Sequence, residues 1–335
     1  MEESSKLGRS EINIPRIGLG TWAIGGWMWG GTNRQEAIRA IRYGIDLGIT
    51  LIDTAPVYGF GLSEEIVGEA IAEHQCRDQV IIATKAGLEW DTANRVWRNS
   101  SRERILQEID DSLRRLRTEY IDLYQIHWPD PEVPIGETAE TLYQLLEQGK
   151  IRAIGVSNYT PEQMEQWQQY APLHSNQSQL NLFQTHLLET TFAYCHEKEI
   201  GTLTWGTLAH GLLTGKFTPH STFPEDDLRH RNPLFQGEQF IQYLNAVEEL
   251  KQFAAEKGKS ITQLAIRWAL DQEGVTTALW GVRRPEQLKE AIGSLGWHLS
   301  PEEIGEIHQI VDKHVTDPVK PKPNPGPPAR SNVRG

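Results

Sequence analysis

The stretch LIDTAPVYGFGLSEEIVGEAI, residues 51–71, decides how the chain is read. It opens as an apolar strand and closes as an amphipathic helix, with a loop rich in glycine and proline between them. The helix carries Ile66, Val67, Ala70 and Ile71 on one face, and Ser63 is placed to cap it. Two polar groups stand at the junction. Asp53 ends the strand, and Tyr58 follows five residues later among Pro56, Gly59 and Gly61. One such unit fits many folds, so the fold is decided by how often it recurs.

Eight runs have strand character: RIGLG (16–20), ITLID (49–53), VIIATK (80–85), IDLYQIH (121–127), AIGVSN (153–158), SQLNL (178–182), GTLTW (201–205) and TALWG (277–281). Helical patterns lie between them. Ile38, Ile41 and Ile45 follow Thr32, a candidate cap, and Ile105, Ile109, Leu113 and Leu116 follow Ser101. Leu142, Leu145 and Leu146 mark a further helix. Thr160-Pro161 opens another, Ser260 precedes Leu264, Ala265 and Trp268, and Pro285 opens the last. This alternation means parallel strands joined by right-handed crossovers. Eight units of this size predict an α/β fold of the (β/α)8 TIM-barrel type. A doubly wound sheet would carry G-x-G-x-x-G after its first strand. The run GLGTWAIGGWMWGG (18–31) does not open a helix in that way. Leu7 to Ile14 reads as a hairpin closing the barrel bottom. Residues 1–315 are expected to form a single barrel. Residues 316–335 hold six prolines and are expected to be an extended or disordered tail. The polar loop between Phe217 and Phe240 is long enough to be functional.

Bulk properties exclude several classes. A net charge of −12 over 335 residues opposes a nucleic-acid or anionic-membrane surface. No apolar run reaches the ~20 residues that cross a bilayer, and MEESSKLGRSEINI lacks the apolar core of a signal peptide. A cytoplasmic protein is expected. Cys76 and Cys195 form no zinc spacing and read as reduced thiols. No metal site is expected. A monomer or weak homo-oligomer is expected.

In a barrel of this type, chemistry sits at the C-terminal strand ends. Those ends carry Asp53, Lys85, His127 and Ser157-Asn158, then Gln179 and Trp205, then Gly281 with Arg283 and Arg284 beyond. Each alone has a structural explanation: a turn cap, a solvated lysine, a hydrogen-bonded histidine. Together, Asp53, Lys85 and His127 with Tyr58 form a chemical set. A tyrosine phenol ordinarily titrates near ~10. An ammonium ~4 Å away at an effective dielectric of ~20 contributes about 4 kcal/mol towards phenolate. Lys85 is therefore expected to bring Tyr58 into a range where it exchanges protons, with Asp53 holding Lys85 and His127 polarising a carbonyl oxygen. No side chain supplies hydride, so this set implies a nicotinamide cofactor.

Over about residues 7–315 the sequence resembles the aldo-keto reductase family. The resemblance is carried by GLGTW (18–22), LIDTAPVYGFGLSEEIVGEAI, VIIATKAG (80–87) and DSLRRLRTEYIDLYQIHWPD (111–130). KIRAIGVSN (150–158), GLLTGKF (211–217) and RRPEQLKEAI (283–292) continue it. It implies that Asp53, Tyr58, Lys85 and His127 are catalytic. It implies NADPH/NADP as cofactor, with Gly20, Thr21, Trp22 and Asp53 beside it. Ser157, Asn158 and Gln179 would hold its carboxamide, and Trp205 would stack on its ring. Gly206, Thr207, Leu208, Ala209 and His210, with Lys216, would wrap the pyrophosphate. Gly281, Arg283, Arg284, Gln287 and Glu290 would take the adenosine end, and Arg229 would clamp it. Members often have Ser-Pro where this chain has Gly206-Thr207, and Asn where it has Ala291.

Trp22, Phe60, Trp90 and Trp128 are the expected substrate-pocket residues, suited to a small aldehyde or ketone. The expected activity is reversible reduction of such carbonyls to alcohols. The alternative is a cofactor-binding regulatory subunit like the potassium-channel beta subunits that this branch also resembles. Those carry Asn at the position of His127. A metal-dependent barrel hydrolase would need more converging ligands than His127 and Asp53.

Overall fold

The computed structural model describes residues 3–320 and 326–333. The elements in chain order are β1 (Ser4–Lys6), β2 (Asn13–Pro15), β3 (Ile17–Gly20), α1 (Arg34–Asp46), β4 (Leu51–Asp53), α2 (Leu62–His74) and β5 (Ile81–Ala86). Then come β6 (Leu88–Trp90), β7 (Val96–Arg98), α3 (Arg102–Leu116), β8 (Ile121–Ile126), α4 (Ile135–Glu147), β9 (Ile151–Ser157) and α5 (Pro161–Trp167). The rest are β10 (Ser175–Gln179), α6 (Ala193–Glu197), β11 (Gly201–Trp205), α7 (Gly237–Glu256), α8 (Ile261–Leu270), β12 (Thr277–Gly281) and α9 (Pro301–His314). From β3 onward the strands and helices alternate, apart from the added strands β6 and β7 and the successive helices α7 and α8. Eight parallel strands close into a barrel in the order β3, β4, β5, β8, β9, β10, β11, β12 and back to β3. The expected (β/α)8 architecture is the one observed.

Strand periodicity places the site. Leu51, Ala83, Leu123, Ala153, Leu203 and Leu279 pack together inside the barrel. The hairpin β1–β2 plugs the bottom by adding Leu7, Ile12 and Ile14 to that cluster. Residues two further along each strand face the same way. These are Asp53, Lys85, Gln125, Gly155, Trp205 and Gly281. The interior thus changes from an apolar layer to a polar, partly glycine layer within one step of the pleat. The alternate residues, including Ile52, Ile82, Tyr124, Ile154 and Trp280, belong to the larger core between strands and helices.

Several expectations shift. The sixth barrel strand is Ser175–Gln179, not residues 178–182. Its sequence, SNQSQ, is polar because the strand feeds the polar layer, so it gives no apolar signal. Residues 88–98, between β5 and α3, form an unanticipated antiparallel hairpin, β6–β7. Asn33 rather than Thr32 caps α1, its side chain accepting from the Glu36 N–H. Gly61 holds the cap position of α2, and Ser63 lies inside the first turn. Its hydroxyl instead donates to Thr21 Oγ1 at 2.8 Å and lies 3.0 Å from Thr54 Oγ1. Pro285 opens only a short 3-10 turn, Pro285–Leu288, and α9 follows it.

Leu203→Ala would leave a void in the interior layer, where neighbouring strands cannot collapse inward. The expected loss of stability is about 2–5 kcal/mol, read by urea denaturation. A loss below about 1 kcal/mol would mean the apolar layer does not carry the barrel.

Candidate active site

The site is organised around a lysine with no access to water. Lys85 is the penultimate residue of β5, with its side chain 0% exposed. Its ammonium donates to Asp53 Oδ1 at 2.9 Å and Oδ2 at 2.8 Å, to the Thr54 carbonyl at 2.9 Å and to Tyr58 Oη at 3.3 Å. Asp53 accepts further bonds from Gln177 Nε2 at 2.7 Å and Gln125 Nε2 at 3.4 Å. The Tyr58 and His127 rings meet edge to face, with centroids 5.7 Å apart. The four residues named from sequence therefore stand together.

Backbone geometry places Tyr58 as firmly as its hydroxyl partner does. A Cβ on Gly25 would sit 2.5 Å from the Tyr58 carbonyl carbon, so only glycine permits that approach. The hydroxyls of Thr21, Ser63 and Thr54 tie the neighbouring strand ends to α2.

The electrostatics correct one expectation. Lys85 does pull the Tyr58 phenol downward, but burial raises it more, and Asp53 adds to the rise. The net shift is upward, because burial outweighs the pull of the ammonium and Asp53 opposes that pull. Burial lowers Lys85, and the attraction of Asp53 and Tyr58 more than offsets this, so it remains an ammonium. Burial and the nearby Lys85 push His127 well below the usual histidine range, leaving a neutral imidazole. The cluster thus holds a protonated phenol, a neutral imidazole and an internally balanced ion pair.

A cavity of about 980 Å³ opens above this layer. Asp53, Tyr58 and His127 line it, with Lys85 behind them. Gly20, Trp22, Ser157, Asn158, Trp205, Gly206, Thr207, Leu208, His210, Lys216, Arg229, Gly281, Arg283, Arg284, Gln287, Glu290 and Trp128 also line it. Besides Lys85, five expected residues do not. Thr21 is buried and bonds the Asp53 carbonyl at 2.9 Å. Ala209 is also buried. Gln179 donates to Gln184 at 2.8 Å. Phe60 packs between Trp27 and Trp90, with centroids 4.9 and 5.6 Å away, so Phe60 and Trp90 back the wall without reaching the cavity. Gln177, not singled out from sequence, lines the cavity in their stead. It lies two residues from Gln179 on one strand face, so the shifted strand boundary hid it. Trp27, Trp29, Leu88 and Val96 complete the apolar wall.

The two ends of the cavity differ. Near Tyr58 the walls are aromatic, Trp22 stacking on it at 6.1 Å and meeting Trp29 edge-on at 5.5 Å. The other end gathers Lys216, Arg229, Arg283 and Arg284. Lys216 and Arg283 are both lowered, by burial first and then by repulsion from Arg229. Between the ends, Gly206, Ala209, His210 and Gly211 all have left-handed backbone conformations. The loop after Phe217 arches over this region. Arg229 pairs with Asp227 through Nε at 2.8 Å and lies over the Phe223 ring at 4.8 Å. Asp227 forms a β-bridge to Trp29.

The described residues 326–333 of the tail meet the barrel mouth and end in a short 3-10 turn, Arg330–Asn332. Ala329 bridges Arg98 of β7, and the Arg98 N–H donates to the Pro328 carbonyl at 2.9 Å. Ser331 bonds Glu132. Gly326 and Pro327 line the cavity. A Cβ on Gly326 would come within 2.6 Å of the Trp128 ring.

Comparison with known proteins gives the family of the chain. The model of the Aldo/keto reductase family matches residues 16–312. The aldo-keto reductase YhdN of Bacillus subtilis (strain 168) is 50% identical over 332 residues, covering 99% of this chain and 100% of that protein. The NADH-specific methylglyoxal reductase of Escherichia coli (strain K12) is 35% identical over 308 residues, covering 88% and 94%. The solved glycerol dehydrogenase of Gluconobacter oxydans superposes with a TM-score of 0.86 at 47% identity, covering 94% and 98%. The chain belongs to the aldo/keto reductase family.

His127 and His210 both titrate below the usual histidine range, His210 down to about 4. A depressed folded value contributes stability above the unfolded value near ~6.5 and loses it as pH falls towards the folded value. Urea midpoints should therefore be highest above pH ~6.5 and decline towards pH ~4. A midpoint constant across that window would contradict the neutral state of these rings.

Proposed function

We propose that the chain catalyses the reversible, NADP(H)-dependent reduction of small aldehydes and ketones, with Tyr58 as proton donor. One observation carries this reading: a buried Lys85–Asp53 ion pair presents a protonated phenol and a neutral imidazole to one cavity.

The cavity suits a nicotinamide dinucleotide on its own chemistry. Four cations converge at one end of a cavity in a chain of net charge −12. Such a concentration calls for a polyanion. Lys216, Arg229, Arg283 and Arg284 would hold its phosphates, and the left-handed run at Gly206–Gly211 is the kind of backbone that turns N–H groups towards an anion. Ser157, Asn158 and Gln177 would hold the nicotinamide amide, beside Trp205. Gln287 and Glu290 would meet the adenosine. When bound, the cofactor supplies the hydride that no side chain can.

The residues of the chain do the rest. The aromatic wall excludes water and orients an apolar or small polar carbonyl compound. The Tyr58 hydroxyl gives its proton to the carbonyl oxygen as that oxygen gains charge. Lys85, still an ammonium, stabilises the phenolate that results. Asp53 keeps Lys85 in place through two bonds, and Gln177 and Gln125 keep Asp53 in place. His127 offers a ring N–H to the same oxygen and, being neutral, adds no charge that would oppose the departing proton. In alcohol oxidation Tyr58 accepts the proton back.

Tyr58→Phe should lower kcat for aldehyde reduction by about 100- to 10,000-fold. Quenching of tryptophan fluorescence by NADPH should persist. Because Tyr58 titrates above its ordinary value, reduction should not lose rate to phenol ionisation below pH ~10, whereas oxidation should climb with pH. Near-normal turnover by the phenylalanine variant would remove Tyr58 from the mechanism. Failure of the unmutated protein to bind either dinucleotide would remove the activity itself.

A further inference from the structure

The cationic end of the cavity contains an acid that the reaction does not use. Glu36 lies in the first turn of α1 and lines the cavity with Arg283, Arg284, Gln287 and Glu290. Its Oε2 is 3.7 Å from Arg284 Nε, and its side chain is 34% exposed. The neighbouring cations are already partly engaged. Arg283 donates to the Trp29 carbonyl at 3.0 Å and to the Gly31 carbonyl at 2.5 Å. Arg229 is paired with Asp227. Arg284, with its side chain 68% exposed, is the arginine least committed to the protein, and Glu36 is the carboxylate beside it.

We infer that Glu36 is a specificity-determining residue that holds down the preference for the phosphorylated dinucleotide, so that NADPH and NADH are both accepted. The inference rests on the cofactor reading above. The two dinucleotides differ by one phosphate monoester on the adenosine ribose. A carboxylate at the adenosine end repels that group and competes with it for Arg284. On NADH it faces an uncharged ribose hydroxyl, which it does not repel. In a water-like dielectric a single negative charge and a dianion separated by ~8 Å repel by about 1 kcal/mol, which is roughly a five-fold change in affinity. It should weaken as salt shortens the screening length.

Glu36→Gln removes the charge and keeps the shape. The α1 cap survives, because Asn33 accepts from the backbone N–H of residue 36. Glu36→Lys reverses the charge and serves as a second variant. Tryptophan quenching of the full chain should be titrated with NADPH and with NADH, at ionic strengths of about 0.01 M and about 1 M. The expected result at low salt is a roughly five-fold gain in NADPH affinity for Glu36→Gln and a larger gain for Glu36→Lys. NADH affinity should stay unchanged, and the NADPH gain should shrink at high salt. Equal effects on both dinucleotides, no effect, or a loss of NADPH affinity would each overturn the assignment. If the unmutated protein binds neither dinucleotide, the proposed function itself fails. If it binds both and the ratio does not move, only the role of Glu36 fails.

Discussion

The barrel mouth is organised by the need to keep one ammonium charged without water. Removing Lys85 from solvent carries a penalty of several kcal/mol unless close partners replace the lost hydration. Asp53 provides a two-point contact, and the Thr54 carbonyl and Tyr58 hydroxyl fill the remaining directions. That solution creates a second demand, because a buried carboxylate also needs donors. Gln177 and Gln125 meet it. The polar content of β4, β5, β8 and β10 at one level of the barrel follows from this chain of requirements. The Lys85↔Gln125 and Asp53↔Ala83 pairings set that level.

The same pairing explains why the phenol stays protonated. An unpaired Lys85 would favour phenolate. A Lys85 neutralised by Asp53 leaves burial as the dominant influence on Tyr58. In the proposed reaction the ammonium therefore matters more once the proton has moved, when a phenolate must be stabilised in a site that cannot reorganise water around it. The fit of Tyr58 against Gly25 keeps the hydroxyl on station without relying on that charge.

Much of this was legible in the sequence, for identifiable reasons. Strands buried on both faces read as apolar runs, and helices show their inner faces at regular spacing, so the barrel emerged from pattern alone. Asp53, Lys85 and His127 each terminate such a run, and Tyr58 sits in the loop after one. Legibility failed where the pattern itself was polar. In β10, SNQSQ turns Gln177 inward, and an apolar search moved the strand three residues along the chain, favouring Gln179. Phe60 and Trp90 show a second limit. Proximity in sequence to Tyr58 and Lys85 does not say which way a ring points, and both rings turn into the wall. The phenol's direction of titration depended first on how deeply it is buried and then on how Asp53 offsets Lys85, neither of which spacing encodes.

The aromatic and cationic ends of the cavity are not independent structures. Trp29 belongs to the aromatic wall through its edge contact with Trp22, which in turn stacks on Tyr58. The Trp29 carbonyl accepts from Arg283, its backbone bridges Asp227, and Arg229 lies over its ring at 5.3 Å. The loop after β3 and the loop carrying Arg229 thus meet at one tryptophan. Occupation of the cationic end by an anion draws on the same arginines that hold this tryptophan in place. Any adjustment there reaches the wall that fixes the phenol's surroundings by three direct contacts: Arg283 or Arg229 to Trp29, Trp29 to Trp22, and Trp22 to Tyr58. The aromatic wall beside Tyr58 is therefore held by the same residues that gather at the cationic end, and a change at either end is felt at the other through Trp29.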